Sequence, residues 1–235
     1  AVRRKRLTSE TVAAEIVGPY RRAKRRLLLF DYDGTLAPIR SRPEEAVPSH
    51  RLCELLRTLG TDAANRVVIC SGRDSGTLEK WFGGLPVSLA AEHGAFYKDR
   101  GAWRCNIRPA SWDPKLSALL EHFARKTPRS RIERKQTALA WHYREADSWL
   151  GQLRAQQLVN ALMPLCARLN LHILQGDKVV EIKSPRFTKG SETLRLLRQE
   201  RYDFILALGD DTTDDDMFAA LPPRALSIKI GNASE

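Results

Sequence analysis

Three apolar runs in this 235-residue chain each end abruptly in a polar cluster, and that repetition narrows the fold more than any other feature. Leu27 to Phe30 leads into Asp31-Tyr-Asp-Gly-Thr35, Val67 to Cys70 into Ser71-Gly-Arg73, and Phe204 to Leu208 into Gly209 and the acidic run Asp210 to Asp216. Apolar runs without alternation mark strands covered on both faces, and so a parallel sheet between helices. Ligands bind such a sheet beyond the carboxyl ends of its strands, near the point where strand order reverses, so the three clusters are expected to converge. The intervening segments fit this arrangement. Ser49 is placed to cap a helix carrying Leu52, Leu55, Leu56 and Leu59 on one face and ending at Gly60. A second helix is expected over Thr77 to Phe82, with further strands over Val87 to Ala91 and Leu226 to Ile230.

From about Trp103 to Lys178 the pattern changes to helix, strand, strand, helix. Asp113 and Pro114 suit the start of a helix bearing Leu116, Leu119, Leu120 and Phe123. The strands expected over Arg131 to Lys135 and Leu139 to Arg144 alternate polar with apolar, which implies a sheet with one wet face. The reading is therefore an α/β protein, a Rossmann-like parallel-sheet core with an inserted α+β cap domain. Its expected boundaries are a basic leader or linker over 1–26, a core over 27–102 and 179–235, and a cap over 103–178. Glu10 to Val17 has the pattern of a helix within the leader.

Composition excludes several classes. No stretch approaches the roughly 20 apolar residues that cross a bilayer, and the basic start AVRRKRLTSE is not followed by the apolar segment of a signal peptide. Four scattered cysteines form neither a zinc pattern nor a disulfide framework, so reduced thiols in a cytoplasm are expected. Much of the net charge of +11 lies in two N-terminal runs, Arg3 to Arg6 and Arg21 to Arg26, without a nucleic-acid-binding signature. An excess of Lys and Arg also suits small anionic substrates, which makes nucleic acid the minor expectation.

The converging clusters define a chemistry. Carboxylates gathered without His or Cys repel one another and need a hard cation, for which Mg²⁺ is the natural occupant. Asp31 can attack phosphorus as a nucleophile, while Asp33 can protonate the leaving oxygen and then deprotonate water. Gly34 permits close backbone approach, Thr35 and Ser71 offer hydroxyl donors, and Lys189, just before Gly190 at a helix start, adds positive charge. Each feature alone has a plainer explanation: Asp-x-Asp-Gly as a turn, the acidic run as a capped helix start, Lys189 as a surface residue. Their common placement at strand ends favours catalysis.

At these residues the chain resembles the haloacid dehalogenase-like phosphatases, through DYDGT (31–35), Ser71, Lys189 and GDDTTD (209–214). It is similar, more narrowly, to the trehalose-6-phosphate phosphatases in AEHGA (91–95), RIERKQTALAWHYREAD (131–147), VVEIK (179–183), FTKG (187–190) and GDDTTDDDMF (209–218). The resemblance implies a haloacid dehalogenase-type core and a mobile cap that recognises a sugar. It implies Asp31 as nucleophile and metal ligand, Asp33 as acid/base lending its backbone carbonyl to Mg²⁺, Asp210 as second carboxylate ligand and Asp214 as a supporting carboxylate at the metal. Ser71, with Gly72 and Thr35 beside it, and Lys189 would hold the phosphoryl group. Glu133, Lys135 and Glu181 would read the sugar, with Arg73, Glu92, His93 and Arg144 as further candidates for substrate contact. Charged positions two apart on a strand share a face, so Glu133 with Lys135 and Glu181 with Lys183 fit that role, although a solvated face would look the same. Thr212 and Asp215 depart from the family pattern without touching the ligands. The basic start and the end soon after Ile230 lead to the expectation that this is the phosphatase part of a fused trehalose-6-phosphate synthase/phosphatase. The sequence leaves open a phosphatase of another sugar or polyol phosphate and a non-catalytic partner of a synthase.

Overall fold

The computed structural model describes residues 10, 12–40, 42–99, 101–105, 112–135, 137–184 and 187–231. Its larger sheet is built from β1 (Arg26–Phe30), β2 (Asn65–Cys70), β3 (Ser88–Ala91), β4 (Phe96–Lys98) and β5 (Arg104–Cys105). A smaller sheet holds β6 (Arg131–Arg134), β7 (Ala138–His142), β8 (His172–Gly176) and β9 (Val179–Lys183), after which β10 (Phe204–Gly209) and β11 (Leu226–Lys229) return to the larger one.

The larger sheet has the order β11-β10-β1-β2-β3-β4-β5. β1 lies parallel to both neighbours, Phe30 opposite Ile69 on one side and Leu208 on the other. The chain extends the sheet one way through β2 and β3 and the other way through β10 and β11, so strand order reverses at β1. The switch point therefore falls at Asp31. Alternate β1 residues feed the cores on the two faces: Leu28 and Phe30 on one, Leu27 and Leu29 on the other. The expected helix ends are present, with Ser49 accepting from the Leu52 N–H and Asp113 from that of Lys115.

The smaller, antiparallel sheet, ordered β6-β7-β9-β8, packs Leu139, Trp141, Val180 and Ile182 against the helices Pro114–Arg125 and Ser148–Leu169. Four expectations need correction. VVEIK (179–183), expected in the core, pairs instead with β7 and β8, because Val180 and Ile182 supply apolar contacts to the small sheet's own core. Arg104 and Cys105, expected in the cap, pair with β4 in the large sheet. The leader is not wholly a linker: Tyr20 packs edge-on against Phe204 at 5.7 Å, its hydroxyl accepts from Asn65 at 2.8 Å, and Arg26 already belongs to β1. Of the helix expected over Glu10 to Val17, Val12–Val17 is helical and runs into a short helix, Gly18–Arg22; residues 1–9 and 11 lie outside the described residues. Nor is the second face of β7 wet, since Ala138 and Ala140 on it are buried.

Candidate active site

Asp31 follows β1 directly, and Lys189 opens the helix Lys189–Gln199 behind a capping box made by Thr188 and Ser191. The Lys189 ammonium donates to Asp31 Oδ1 at 2.6 Å and to Asp214 Oδ1 at 2.7 Å, all three side chains being buried. Burial pushes the Asp31 and Asp214 carboxyls each up to about 6, with Lys189 drawing both back down. For Lys189 burial works against the charge, but the two carboxylates outweigh it and hold the ammonium protonated. The acidic run is a helix start, as its plainer explanation has it, and Asp214 in that helix turns back to accept the N–H groups of Asp210 and Asp211 at 3.0 and 3.2 Å. Asp214 thus accepts from Lys189 on one oxygen and from two backbone N–H groups on the other, whereas Asp210 and Asp31 face one another.

Asp33 lines the cleft and is gripped on both oxygens by Arg73, at 2.6 and 2.8 Å, while the guanidinium lies 4.6 Å from the Trp81 ring centre. Ser71 is buried beside Asp31 at the end of β2, its oxygen accepting the Arg73 N–H at 3.2 Å with the hydroxyl hydrogen left to donate. Thr35 sits 3.4 Å from Asp210 Oδ1. Gly34 has φ +86°, and a Cβ there would lie 1.9 Å from Asp210 Oδ2. Gly34→Ala is accordingly expected to displace Asp210 and to lower turnover by about 100-fold. Steady-state kinetics beside a melting curve will separate this from simple unfolding.

The small-sheet lobe lines the other side of the cleft. Cross-strand pairing puts Glu133, Ala140 and Glu181 side by side on one face, and Lys135 stands between the two carboxylates at 3.9 and 3.7 Å. Lys135 also donates to the Gly72 carbonyl of the large-sheet lobe at 2.9 Å. Burial would raise Glu133, but the hydrogen bond from His142 at 2.7 Å and the charges of Lys135, His142 and Arg131 hold it down at about 2. His93 is packed under Gly72 and 3.8 Å from Glu181; burial, with Lys183, Lys189 and Lys135 nearby, keeps its ring well below the ordinary value and so neutral. Glu92 faces Thr137 of the cap segment. Arg144 pairs with Asp177 at 2.8 Å, not with Glu145 or Asp147 as its neighbours in sequence suggest. Between the lobes lies a cleft of about 1130 Å³ whose lining includes Asp33, Arg73, Trp81, Glu133, Lys135, Arg144 and Asp210.

The residues present fit Mg²⁺. Asp31, Asp210 and Asp214 bring carboxylate oxygens within 4.8 Å of one another, an all-oxygen set at the end of a central strand. Asp210 is pushed up by burial and by the carboxylates of Asp211 and Asp214, and its own charge pushes Asp31 up in turn, so the cluster calls for a positive partner. Sequence reasoning missed His142, Trp81, Asp177 and Thr137. The run ALAWH (138–142) signals only a buried strand, and an uncharged Thr carries no signal at all.

The trehalose-phosphatase family model matches residues 29–234. The chain belongs to the trehalose-phosphatase family. Among its relatives, a trehalose-phosphatase of Zygosaccharomyces rouxii is 43% identical over 228 residues, covering 86% of this chain and 25% of that protein. A bifunctional trehalose-6-phosphate synthase/phosphatase of Thermoproteus tenax is 40% identical over 229 residues, covering 96% of this chain and 31% of that protein. The solved C-terminal domain of C. albicans trehalose-6-phosphate phosphatase superposes with a TM-score of 0.81 at 40% identity, covering 86% of this chain and 76% of that one. The chain thus spans about a quarter to a third of the length of these two curated relatives. The trehalose-phosphatase resemblance first carried by short motifs extends over nearly the whole chain, and the mixed α/β fold with its parallel-stranded sheet is that of the family.

Proposed function

We propose that the chain hydrolyses trehalose 6-phosphate to trehalose and phosphate, with Mg²⁺, through an aspartyl-phosphate on Asp31. The observation that carries this reading is the arrangement at the end of β1: a buried carboxylate paired to Lys189 at 2.6 Å, facing Asp210, with a second acid, Asp33, two residues on and open to the cleft. A carboxylate oxygen of Asp31 forms a bond to phosphorus as the P–O bond to the sugar breaks, and Asp33 gives its proton to the departing sugar oxygen. Water then attacks phosphorus, Asp33 takes a proton from it, and the Asp31–phosphorus bond breaks to free inorganic phosphate. Ser71 and Lys189 hold the phosphoryl oxygens through both steps. Asp31, Asp210 and the Asp33 carbonyl, with Asp214 in support, would hold Mg²⁺, which when bound would offset the charge barrier between carboxylate and phosphate. Arg73 keeps Asp33 on the cleft side and releases it as the substrate enters.

The sugar is read by the cap face of Glu133, Lys135 and Glu181, whose fixed charges suit hydroxyl groups, with Arg144 at its rim. A core over which such a cap closes excludes water from the acyl phosphate. The division into core and cap follows the two sheets. In a longer protein, a trehalose-6-phosphate synthase domain is the natural neighbour, since the Thermoproteus tenax relative carries both activities in its name. Four free cysteines suit a cytoplasmic setting.

Phosphate release from trehalose 6-phosphate, glucose 6-phosphate, sucrose 6-phosphate and mannose 6-phosphate tests the whole reading. Preference for trehalose 6-phosphate by about 100-fold in kcat/KM is expected, with activity lost in EDTA and restored by Mg²⁺. An equal preference for another sugar overturns the substrate and keeps the chemistry; activity indifferent to EDTA overturns the metal.

A further inference from the structure

The turn Glu92-His93-Gly94 has positive φ at all three residues, 46°, 60° and 96°. Only glycine enters that region without cost, so two non-glycine residues are held there by their surroundings. The backbone of the turn is tied to the phosphate loop: the Glu92 N–H donates to the Arg73 carbonyl at 2.9 Å and the His93 N–H to that of Ser71 at 3.0 Å. Its Glu92 side chain is tied to the cap. That carboxylate, 4% exposed, accepts the Thr137 N–H at 2.8 Å and the Thr137 hydroxyl. Thr137 lies two residues beyond Lys135, which fastens the same cap segment to the Gly72 carbonyl. One short turn thus holds Ser71 and Arg73 with its backbone, lies under Gly72 with the His93 ring, and reaches the cap segment with its Glu92 side chain.

We propose that Glu92 is a positioning residue that couples cap closure to the phosphate loop, and not a reader of the sugar. With Thr137 seated on Glu92, Glu133, Lys135 and Glu181 stand over the phosphate site while Ser71 and Arg73 are held for transfer. When the cap lifts, water replaces both partners, so removal of the carboxylate penalises the closed state alone: there the Thr137 N–H is left buried and unpaired. The proposal rests on the phosphatase reading above, with the sugar recognised by the cap. A small aryl phosphate needs the phosphate loop but not the cap, which separates the two roles.

The test compares kcat/KM for trehalose 6-phosphate and for p-nitrophenyl phosphate in wild type, Glu92→Ala, Glu92→Gln, Thr137→Val and the Glu92→Ala/Thr137→Val double variant. It is run beside amide hydrogen exchange at Thr137. Glu92→Ala is expected to lose about 10- to 100-fold on the sugar phosphate, at least about tenfold more than on the aryl ester. Thr137→Val loses less, because the backbone N–H remains, and the double variant matches Glu92→Ala, as contacting partners do. Glu92→Gln keeps an acceptor and recovers to within about threefold of wild type, and Thr137 exchanges faster in Glu92→Ala than in wild type. Equal losses on the two esters, additive losses in the double variant, or unchanged exchange at Thr137 would each overturn the coupling. If wild type does not turn over trehalose 6-phosphate, the phosphatase reading fails by itself, and the exchange measurement still decides whether Glu92 holds the cap.

Discussion

Asp31→Asn is expected to remove turnover almost completely, with kcat lower by about 10⁴-fold or more, while leaving a folded protein that still binds sugar phosphate. An amide cannot form the bond to phosphorus, yet it matches the carboxylate in shape and keeps an oxygen for the Lys189 ammonium, now 2.6 Å from Asp31. Stability should not suffer. Burial already pushes the Asp31 carboxyl up to about 6, so the charged form is the costly one at neutral pH, and a neutral isostere escapes that cost. The melting temperature of the variant is expected to equal or exceed that of wild type. Affinity for trehalose 6-phosphate, measured calorimetrically, should stay within about tenfold because Glu133, Lys135 and Glu181 are untouched and one negative charge near the phosphate is gone. Acid-quenched wild-type enzyme should carry phosphate on Asp31, and the variant none. Unchanged product formation would exclude Asp31 as the nucleophile and with it the two-step reaction.

Much of this site is legible in the chain because it is built from strand ends, and strand ends leave a sharp change from apolar to polar residues. Phe30-Asp31, Cys70-Ser71 and Gly209-Asp210 each show that change, and the parallel order of β10, β1 and β2 brings all three to the carboxyl end of the central strands. Caps are equally local: Ser49 and Asp113 announce their helices within three residues. What resists reading depends on pairing at a distance. Arg73 and Asp33 are 40 residues apart, and Arg144 and Asp177 are 33 apart, so a carboxylate next in sequence looks as good a partner as the true one. The membership of Val179–Lys183 in the small sheet rests on antiparallel register with β7, which hydrophobic pattern alone does not specify. For the same reason Glu133 and Glu181 are each recognisable as charged strand residues, but their meeting across Ala140 is a property of the sheet. Thr137 sits at the opposite extreme: a small neutral residue whose importance lies wholly in what it touches.

Removing the positive charge at the centre of the site should cost more in stability than any other single change made there. In Lys189→Met two buried carboxylates, Asp31 and Asp214, lose their shared partner, and breaking a buried ion pair from one side typically costs roughly 3 to 5 kcal/mol. For a chain of this size that corresponds to a fall in melting temperature of roughly 6 to 20 °C. The loss should depend on pH in a definite direction. Burial already holds both carboxyls above their ordinary value, at about 6, and Lys189 is the group drawing them down, so its removal sends both higher. A folded-state pKa above the unfolded one means that the folded protein binds protons the unfolded chain does not, and stability falls as pH rises through that value. In EDTA, where no cation substitutes for the ammonium, the deficit relative to wild type should therefore widen above pH 6 and narrow toward pH 5. Adding Asp214→Asn to Lys189→Met removes one of the two stranded charges while its amide oxygen can still accept the Asp210 and Asp211 N–H groups, and so should recover part of the lost stability. Turnover should stay low in the double variant, by about 100- to 1000-fold, because the positive charge beside the transferring phosphoryl group is still missing. Melting curves at pH 5, 6, 7 and 8 decide the matter: a deficit independent of pH would mean that Lys189 acts through packing and not through its charge.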